Sequence, residues 1–279
     1  MTILNFSLII FCCAISTGVL GALTGLGGGI FLTPILVMFL GIEPHYALAT
    51  SLIAAISTSS GASITFLKEK LTNFRIGLFL ETAAVIGAPI GAMIAIYLPK
   101  QLIFILFGLL LSNAAYSNVK GLEKGQRRNF NFISDPLALK LDMPDQYMTS
   151  WGEIITYPVR KIKMGWSLMF GAGVLSGVLG IGSGSLKVLA MDQIMGLPYK
   201  VSTATSNFMI GLTAIASVGV YWSQGFLIPE LTMPVIPGVL IGAYIGSKTV
   251  AQIPIHKTRW IFTIVLTIFA IQMLVKGFL

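Results

Sequence analysis

Charge is scarce in this chain. Only 10% of its 279 residues are Asp, Glu, Lys or Arg, against 55% apolar, and a mean hydropathy of +0.87 lies far above that of a soluble globular domain. That shortage excludes a water-soluble fold. Cysteine is nearly missing too. Cys12 and Cys13 are the two present, and adjacent residues on a helix point about 100° apart, which suits neither a disulfide framework nor a metal site. Both read as soft packing. No Lys or Arg precedes the first apolar run, so that run lacks the basic region of a cleaved signal peptide and is expected to stay as the first membrane element. The net charge of +8 belongs to membrane orientation, described below, and nucleic acid is not expected as a partner.

What the chain has in abundance is long apolar segments. Eight of them, at about Ile3–Thr24, Tyr46–Leu67, Arg75–Leu98, Leu102–Ser117, Gly165–Ile181, Val201–Ser223, Leu231–Ala251 and Thr258–Val275, are long enough to cross a bilayer as helices. Ile30–Leu40 and Ser185–Met195 are too short to do so. Each short piece follows a glycine cluster, Gly25-Leu-Gly-Gly-Gly29 or Gly180-Ile-Gly-Ser-Gly184.

The two short pieces belong to an internal duplication. At an offset of 155 and without a gap, Gly18-Val-Leu20 meets Gly173-Val-Leu175, and Gly25, Gly27 and Gly29 meet Gly180, Gly182 and Gly184. Gly41 meets Gly196, and Ala49-Thr-Ser51 meets Ala204-Thr-Ser206. After a four-residue shift, Gly87 and Gly91 meet Gly238 and Gly242. Matched order of apolar helix, glycine break and short helix argues for two homologous halves, 1–118 and 164–279, around an insert at 119–163.

Charge orients the halves. If each glycine-broken segment enters and returns to the same side, fifteen of the eighteen Lys and Arg fall on one face: Lys68, Lys70, Arg75, the eight of the insert, Lys200, Lys248, Lys257 and Arg259. Lys100 and Lys276 alone fall on the other. By the positive-inside bias that face is cytoplasmic. A hairpin plus three spanning helices is an odd number of crossings, so the second half enters from the opposite side. The expected fold is an all-α polytopic membrane protein of two inverted repeats, multi-pass in the plasma membrane, with both termini outside and a cytoplasmic insert. The insert opens on a basic run at Lys124, Arg127 and Arg128 and passes Trp151. It reads either as a topology-setting linker that touches anionic lipid or as a regulatory element. Trp166, Trp222 and Trp260 fall at expected helix ends, as interfacial anchors do.

The breaks are where chemistry is expected. Past Gly27, Gly28 and Gly29, and past Gly182, Ser183 and Gly184, a new helix starts with free N–H groups and the positive end of its dipole, which favour a small anion. Scattered glycines such as Gly87 and Gly91 read instead as close helix packing. Thr50 and Ser51, with their counterparts Thr205 and Ser206 and the adjoining Asn207, stand near the start of the long helix after each hairpin, where they can cap broken backbone or donate to an anion. Lys187 lies just past the second break and needs a partner inside the membrane: an anionic substrate, Asp192 or a carbonyl. Asp192 and Glu81, the latter about 9 Å inside its helix end by the rise per residue, are candidates for proton coupling or for ion pairs. No catalytic residue, metal site or cofactor is expected. Gly182-Ser-Gly184 superficially matches a hydrolase nucleophile, but Ile181 replaces the required glycine, and His45 and His256 are expected at opposite membrane edges.

At these residues the sequence resembles the sulfite exporter TauE/SafE family. The resemblance rests on Gly25-Leu-Gly-Gly-Gly-Ile-Phe-Leu-Thr-Pro34, on Ala49-Thr-Ser51 and on their second-half counterparts. It covers both halves and not the insert. It implies export of a small sulfur-containing anion such as sulfite, sulfoacetate or another organosulfonate, coupled to the proton gradient. The second half departs from the first at Ser183 for Gly28, Lys187 for Leu32 and Leu189 for Pro34. A transporter of a non-sulfur anion such as a carboxylate is the alternative, and an intramembrane enzyme the reading from another class. Oligomeric state is left open, a homodimer included.

Overall fold

The computed structural model describes residues 3–123, 134–148, 154–250 and 255–278. Its first half runs α1 (Ile3–Thr24), α2 (Gly29–Met38), α3 (Pro44–Lys68), α4 (Phe74–Tyr97) and α5 (Lys100–Glu123). The insert holds a short helix, α6 (Pro136–Lys140), and an antiparallel hairpin of β1 (Asp145–Met148) and β2 (Ile154–Tyr157) with Asp145 opposite Tyr157. The second half runs α7 (Ile162–Leu179), α8 (Gly184–Leu189), a π-helical turn (Ala190–Ile194), α9 (Tyr199–Ser223), α10 (Pro229–Val250) and α11 (Ile255–Phe278). Lys124, Arg127, Arg128 and Trp151 lie outside the described residues.

Seven helices are long and apolar enough to cross a membrane among the described residues: α1, α3, α4, α5, α7, α9 and α10. The protein is an all-α polytopic membrane protein. α11 has 24 residues, of which Phe262–Phe278 form a described apolar stretch. At 1.5 Å per residue the ten residues of α2 reach about 15 Å, half the hydrocarbon thickness. In the second half the expected single short helix is divided: α8 gives way after Leu189 to the π turn.

Helix starts follow local chemistry. Pro44 at the first turn of α3 supplies a fixed φ and lacks only an N–H that would be unpaired there. Asn73 caps α4, its Oδ1 accepting from the Ile76 N–H at 3.0 Å. The same amide donates to the Met143 carbonyl at 2.9 Å and to Tyr157 Oη at 3.1 Å, which fastens the insert to the bundle. Met143, Tyr157 and Val159 then join Ile76 and Leu80 of α4, Met191 of the π turn and Val201 of α9 in one buried apolar cluster. The insert is a docked element over the second hairpin.

Packing crosses between the halves. α1 lies against α10 and α4 against α7, while α3 meets α9 and α5 meets α11. Glycine makes the first two contacts possible: a Cβ at Gly91 would overlap the Val174 carbonyl, at Gly177 the Ala88 carbonyl and at Gly242 the Ile15 carbonyl, and at Gly18 it would lie 2.5 Å from that of Val239. These are backbone-on-backbone seams, the membrane use of small residues at four-residue spacing. Gly87 and Gly91 lie on the α4–α7 seam, as the packing reading of those glycines expects. α3 and α9 are the most enclosed of the seven helices, so the centre of the bundle lies along their contact.

Candidate functional site

At the two breaks the backbone turns through conformations that need glycine. Gly25 and Gly27 have φ of 69° and 84°, and Gly180 and Gly182 have 63° and 69°, the left-handed region that L side chains disfavour. Ser183 stands there as well, at φ 50°, whereas its counterpart Gly28 is right-handed at −63°. The serine-for-glycine exchange thus accompanies a change of backbone shape between the halves.

The breaks touch each other. A Cβ on Gly184 would come within 2.6 Å of the Gly25 carbonyl and 2.7 Å of Leu26 Cα, and one on Gly29 would lie 2.5 Å from the Ser51 carbonyl and 3.3 Å from that of Gly180. Ser206 Oγ reaches both sides, 3.2 Å from the Gly25 carbonyl and 3.3 Å from that of Gly184; its single proton serves one at a time. Gly27 and Gly182 both face Ile210 of α9.

The remaining sequence candidates divide into engaged and open groups. The Gly28 N–H donates to Thr58 Oγ1 at 3.0 Å, and Thr33 Oγ1 donates to Ser51 Oγ at 2.6 Å. Thr50 bonds back to the Tyr46 carbonyl of its own helix at 2.8 Å. Asn207 donates to the Thr203 carbonyl at 3.2 Å while its Oδ1 has no partner. Ser183 Oγ has none either, and both residues are fully buried. Ser185, Ser202 and Thr203 carry further unpartnered buried hydroxyls, so five such groups lie on the second hairpin and the start of α9, Thr203 against Gly25 of the first break. Native interiors pair nearly all buried polar atoms, and a cluster of exceptions calls for a ligand, water or movement. Thr58 and Thr203 were not legible as site residues in the sequence.

A small cavity of about 40 Å³, partly open to solvent, borders the second break at Ser185. α5 contributes Asn113, Ser117 and Asn118, the second hairpin contributes Ser185, Asp192 and Gln193, and Tyr199 of α9 and Leu26 of the first break also line it. Asp192 is thus placed on the cavity, on a π turn, a local geometry that recurs at functional sites. The α5 residues escaped sequence reading, although Asn113 and Ser117 stand four apart on one face of a helix whose preceding turns are apolar.

Lys187 points elsewhere. Its Nζ donates to Glu81 Oε2 of α4 at 3.1 Å, to the Met209 carbonyl of α9 at 3.2 Å and to Thr213 Oγ1 of α9. Thr213 also donates to Glu81 Oε1. Lys187 is completely enclosed and Glu81 nearly so. The partner of Lys187 is therefore Glu81, with one carbonyl, rather than Asp192. The α4–α7 seam and the α4–α9 contact bring the carboxylate within reach, which spacing along the chain does not reveal.

Long apolar helices enclosing broken ones, with a cavity of mixed lining that borders the breaks, define a multi-pass protein of the membrane-transporter class. The chain belongs to the sulfite exporter TauE/SafE family, whose model matches residues 10–273. It is 27% identical over 267 residues to the probable membrane transporter protein YunE of Bacillus subtilis (strain 168), covering 93% of this chain and 94% of that one. It is 26% identical over 248 residues to the probable membrane transporter protein YdhB of the same organism, covering 88% and 90%. A probable membrane transporter protein of Haemophilus influenzae is 26% identical over 221 residues, covering 78% and 73%. No solved structure matches the chain.

Proposed function

We propose that the protein is a secondary transporter, not an enzyme, that moves a small sulfur-containing anion such as sulfite, sulfoacetate or another organosulfonate out of the cell across the plasma membrane, coupled to the proton gradient. The observation that carries this reading is the lining of the cavity: Leu26 lies within the first break and Ser185 directly follows the second, so the cavity borders both breaks. The N–H groups of Gly29 and Ile30, first in their helix, have no carbonyl one turn back to bond. Together with Ser183, Ser206 and Asn207 they offer an anion donors without a full positive charge. Thr50 and Ser51 support the seam from the first half, and Asp192 and Glu81 are the groups able to carry a proton.

Halves 1–118 and 164–279 act as inverted repeats in this reading, with the insert 119–163 cytoplasmic and the termini outside. The reciprocal seams, α1 on α10 and α7 on α4, support a two-fold relation between them, and an internal two-fold in the membrane plane suits alternating access. A non-sulfur anion such as a carboxylate is the second reading, favoured by the amides and hydroxyls of Asn113, Ser117, Asn118 and Gln193, which suit either oxyanion. His45 is engaged with the Ala95 carbonyl at 3.2 Å and stacked on Phe226, away from Ser183, which weighs against a hydrolase. Thermal unfolding of the purified protein in detergent across sulfite, sulfonates and carboxylates tests the proposal. A ligand at a hundred times its Kd stabilises by about 2.7 kcal/mol. A shift confined to the sulfur anions is expected; a shift with carboxylates alone replaces the substrate class, and none with any anion removes the site.

A further inference from the structure

The ammonium of Lys187 has three N–H protons and three acceptors: Glu81 Oε2 at 3.1 Å, the Met209 carbonyl at 3.2 Å and Thr213 Oγ1. It is fully coordinated by protein and has no donor left for a solute. Lys187 is also not among the residues lining the cavity. Yet it lies four residues past Ser183 on the same segment, about 6 Å along a helix axis. Its charge is therefore felt at the break without touching what binds there. A side chain adds about as much again, and within about 12 Å in a protein interior a unit charge alters the binding of an opposite one by roughly tenfold.

The state of Glu81 decides whether that charge is felt. With Glu81 ionised, the pair is neutral and presents almost no field to the seam. With Glu81 protonated, Lys187 becomes an uncompensated buried cation, a costly condition that an anion at the adjacent break relieves. Among the described residues the other ionisable groups on the surrounding elements stand away from this pair: Arg75 and Tyr97 at the ends of α4, Lys163 at the start of α7, Tyr199, Lys200 and Tyr221 toward the ends of α9, Asp192 on the cavity side of the π turn, and Tyr157 in the insert.

We infer that the Glu81–Lys187 pair links proton uptake to anion binding with positive sign, so that the protein takes up a proton at Glu81 as a monovalent anion settles between the breaks. This rests on the seam being the anion seat, and it adds which residue carries the proton and in which sense. By reciprocity the anion raises the proton affinity of Glu81 as much as the proton raises the affinity for the anion. Lys187 is a positioning charge in this scheme and makes no contact with the solute. Proton and anion then travel in the same direction as a neutral pair, so net outward flux requires the anion's outward gradient to exceed any inward gradient of protons.

The test uses the full chain in detergent and isethionate, a sulfonate whose charge is constant between pH 5 and 8. Its Kd, from calorimetry, should fall as the pH is lowered, by up to tenfold per pH unit, and adding it to protein in weak buffer should draw up to one proton from solution per anion bound. Glu81→Gln should bind with a Kd that no longer depends on pH, as tight at pH 8 as the unaltered protein is at pH 5. Binding with a flat or weakening Kd on acidification, and no proton uptake, overturns the linkage while the anion seat stands. No binding of isethionate, sulfite or sulfoacetate at any pH removes the seat itself and the linkage with it. If Glu81→Gln does not fold, proton uptake by the unaltered protein decides.

Discussion

Glu81 and Lys187 are 106 residues apart in the chain and 3.1 Å apart in space, and both are withdrawn from solvent. Two charges taken out of water gain little over a well-packed apolar pair, but removing one of them strands the other at a cost of about 3–5 kcal/mol. Lys187→Met is therefore expected to lose that much stability, and Lys187→Met with Glu81→Leu to recover most of it. Denaturant unfolding in detergent measures both. A double variant as unstable as the single one would mean that the two residues are not energetically paired.

Steric seams give a second expectation. Gly91→Ala places a methyl onto the Val174 carbonyl, and with backbone on the other side neither helix can yield cheaply. A loss of about 1–3 kcal/mol follows from overpacking. Gly171→Ala, in the facing helix α7 but with nothing within 4 Å of its Cβ position, should gain up to about 1 kcal/mol from helix propensity. Equal effects at both sites, in thermal unfolding, would contradict a seam set by glycine.

At the second break, Ser183 combines left-handed backbone with an unpartnered hydroxyl. Ser183→Gly relieves about 1 kcal/mol of strain against a similar entropic loss, so stability should hold. If the hydroxyl donates to the anion, affinity should drop about two- to tenfold, the worth of one hydrogen bond. Calorimetry on the variant separates the two effects, and unchanged affinity takes Ser183 out of the seat.

The insert supplies a pH-dependent element. Burial pushes the Tyr157 hydroxyl above the usual tyrosine range, the nearby Asp145 and Tyr147 adding to the shift while the Asn73 amide opposes it. Its folded value lies above the unfolded value of about 10, so its contribution is complete below that pH and is lost as the pH rises through the alkaline range. Stability of the docked insert, followed by hydrogen exchange of 134–148, should decline above pH 10. Tyr157→Phe should flatten that decline.

The helices were legible because a span needs a long apolar run and leaves one in the sequence; α3, predicted from Tyr46 to Leu67, runs Pro44–Lys68. Gly25, Gly27, Gly180 and Gly182 were legible for a different reason, since glycine is the residue that adopts their positive φ without strain. The Glu81–Lys187–Thr213 network was not. Its members come from α4, α8 and α9, and no local period connects them. Nor does α8 announce where it gives way to a π turn, a change of one residue in hydrogen-bond register that sequence composition does not mark. The β-hairpin of the insert went unread because two four-residue strands lack the length for a period to emerge.

The bare backbone stripes along α1 and α10, and along α4 and α7, bear on how the polypeptide is divided. A chain severed within the insert would yield two fragments with incomplete interiors, α1 without α10 and α7 without α4. Each would turn a glycine groove toward lipid that fills it poorly. Neither fragment is a self-sufficient unit, and their complementary grooves favour reassembly when the two are made together. The folded molecule binds residues before and after the insert as interleaved pages, and any opening of the structure has to part along a line other than the one at which the insert joins them.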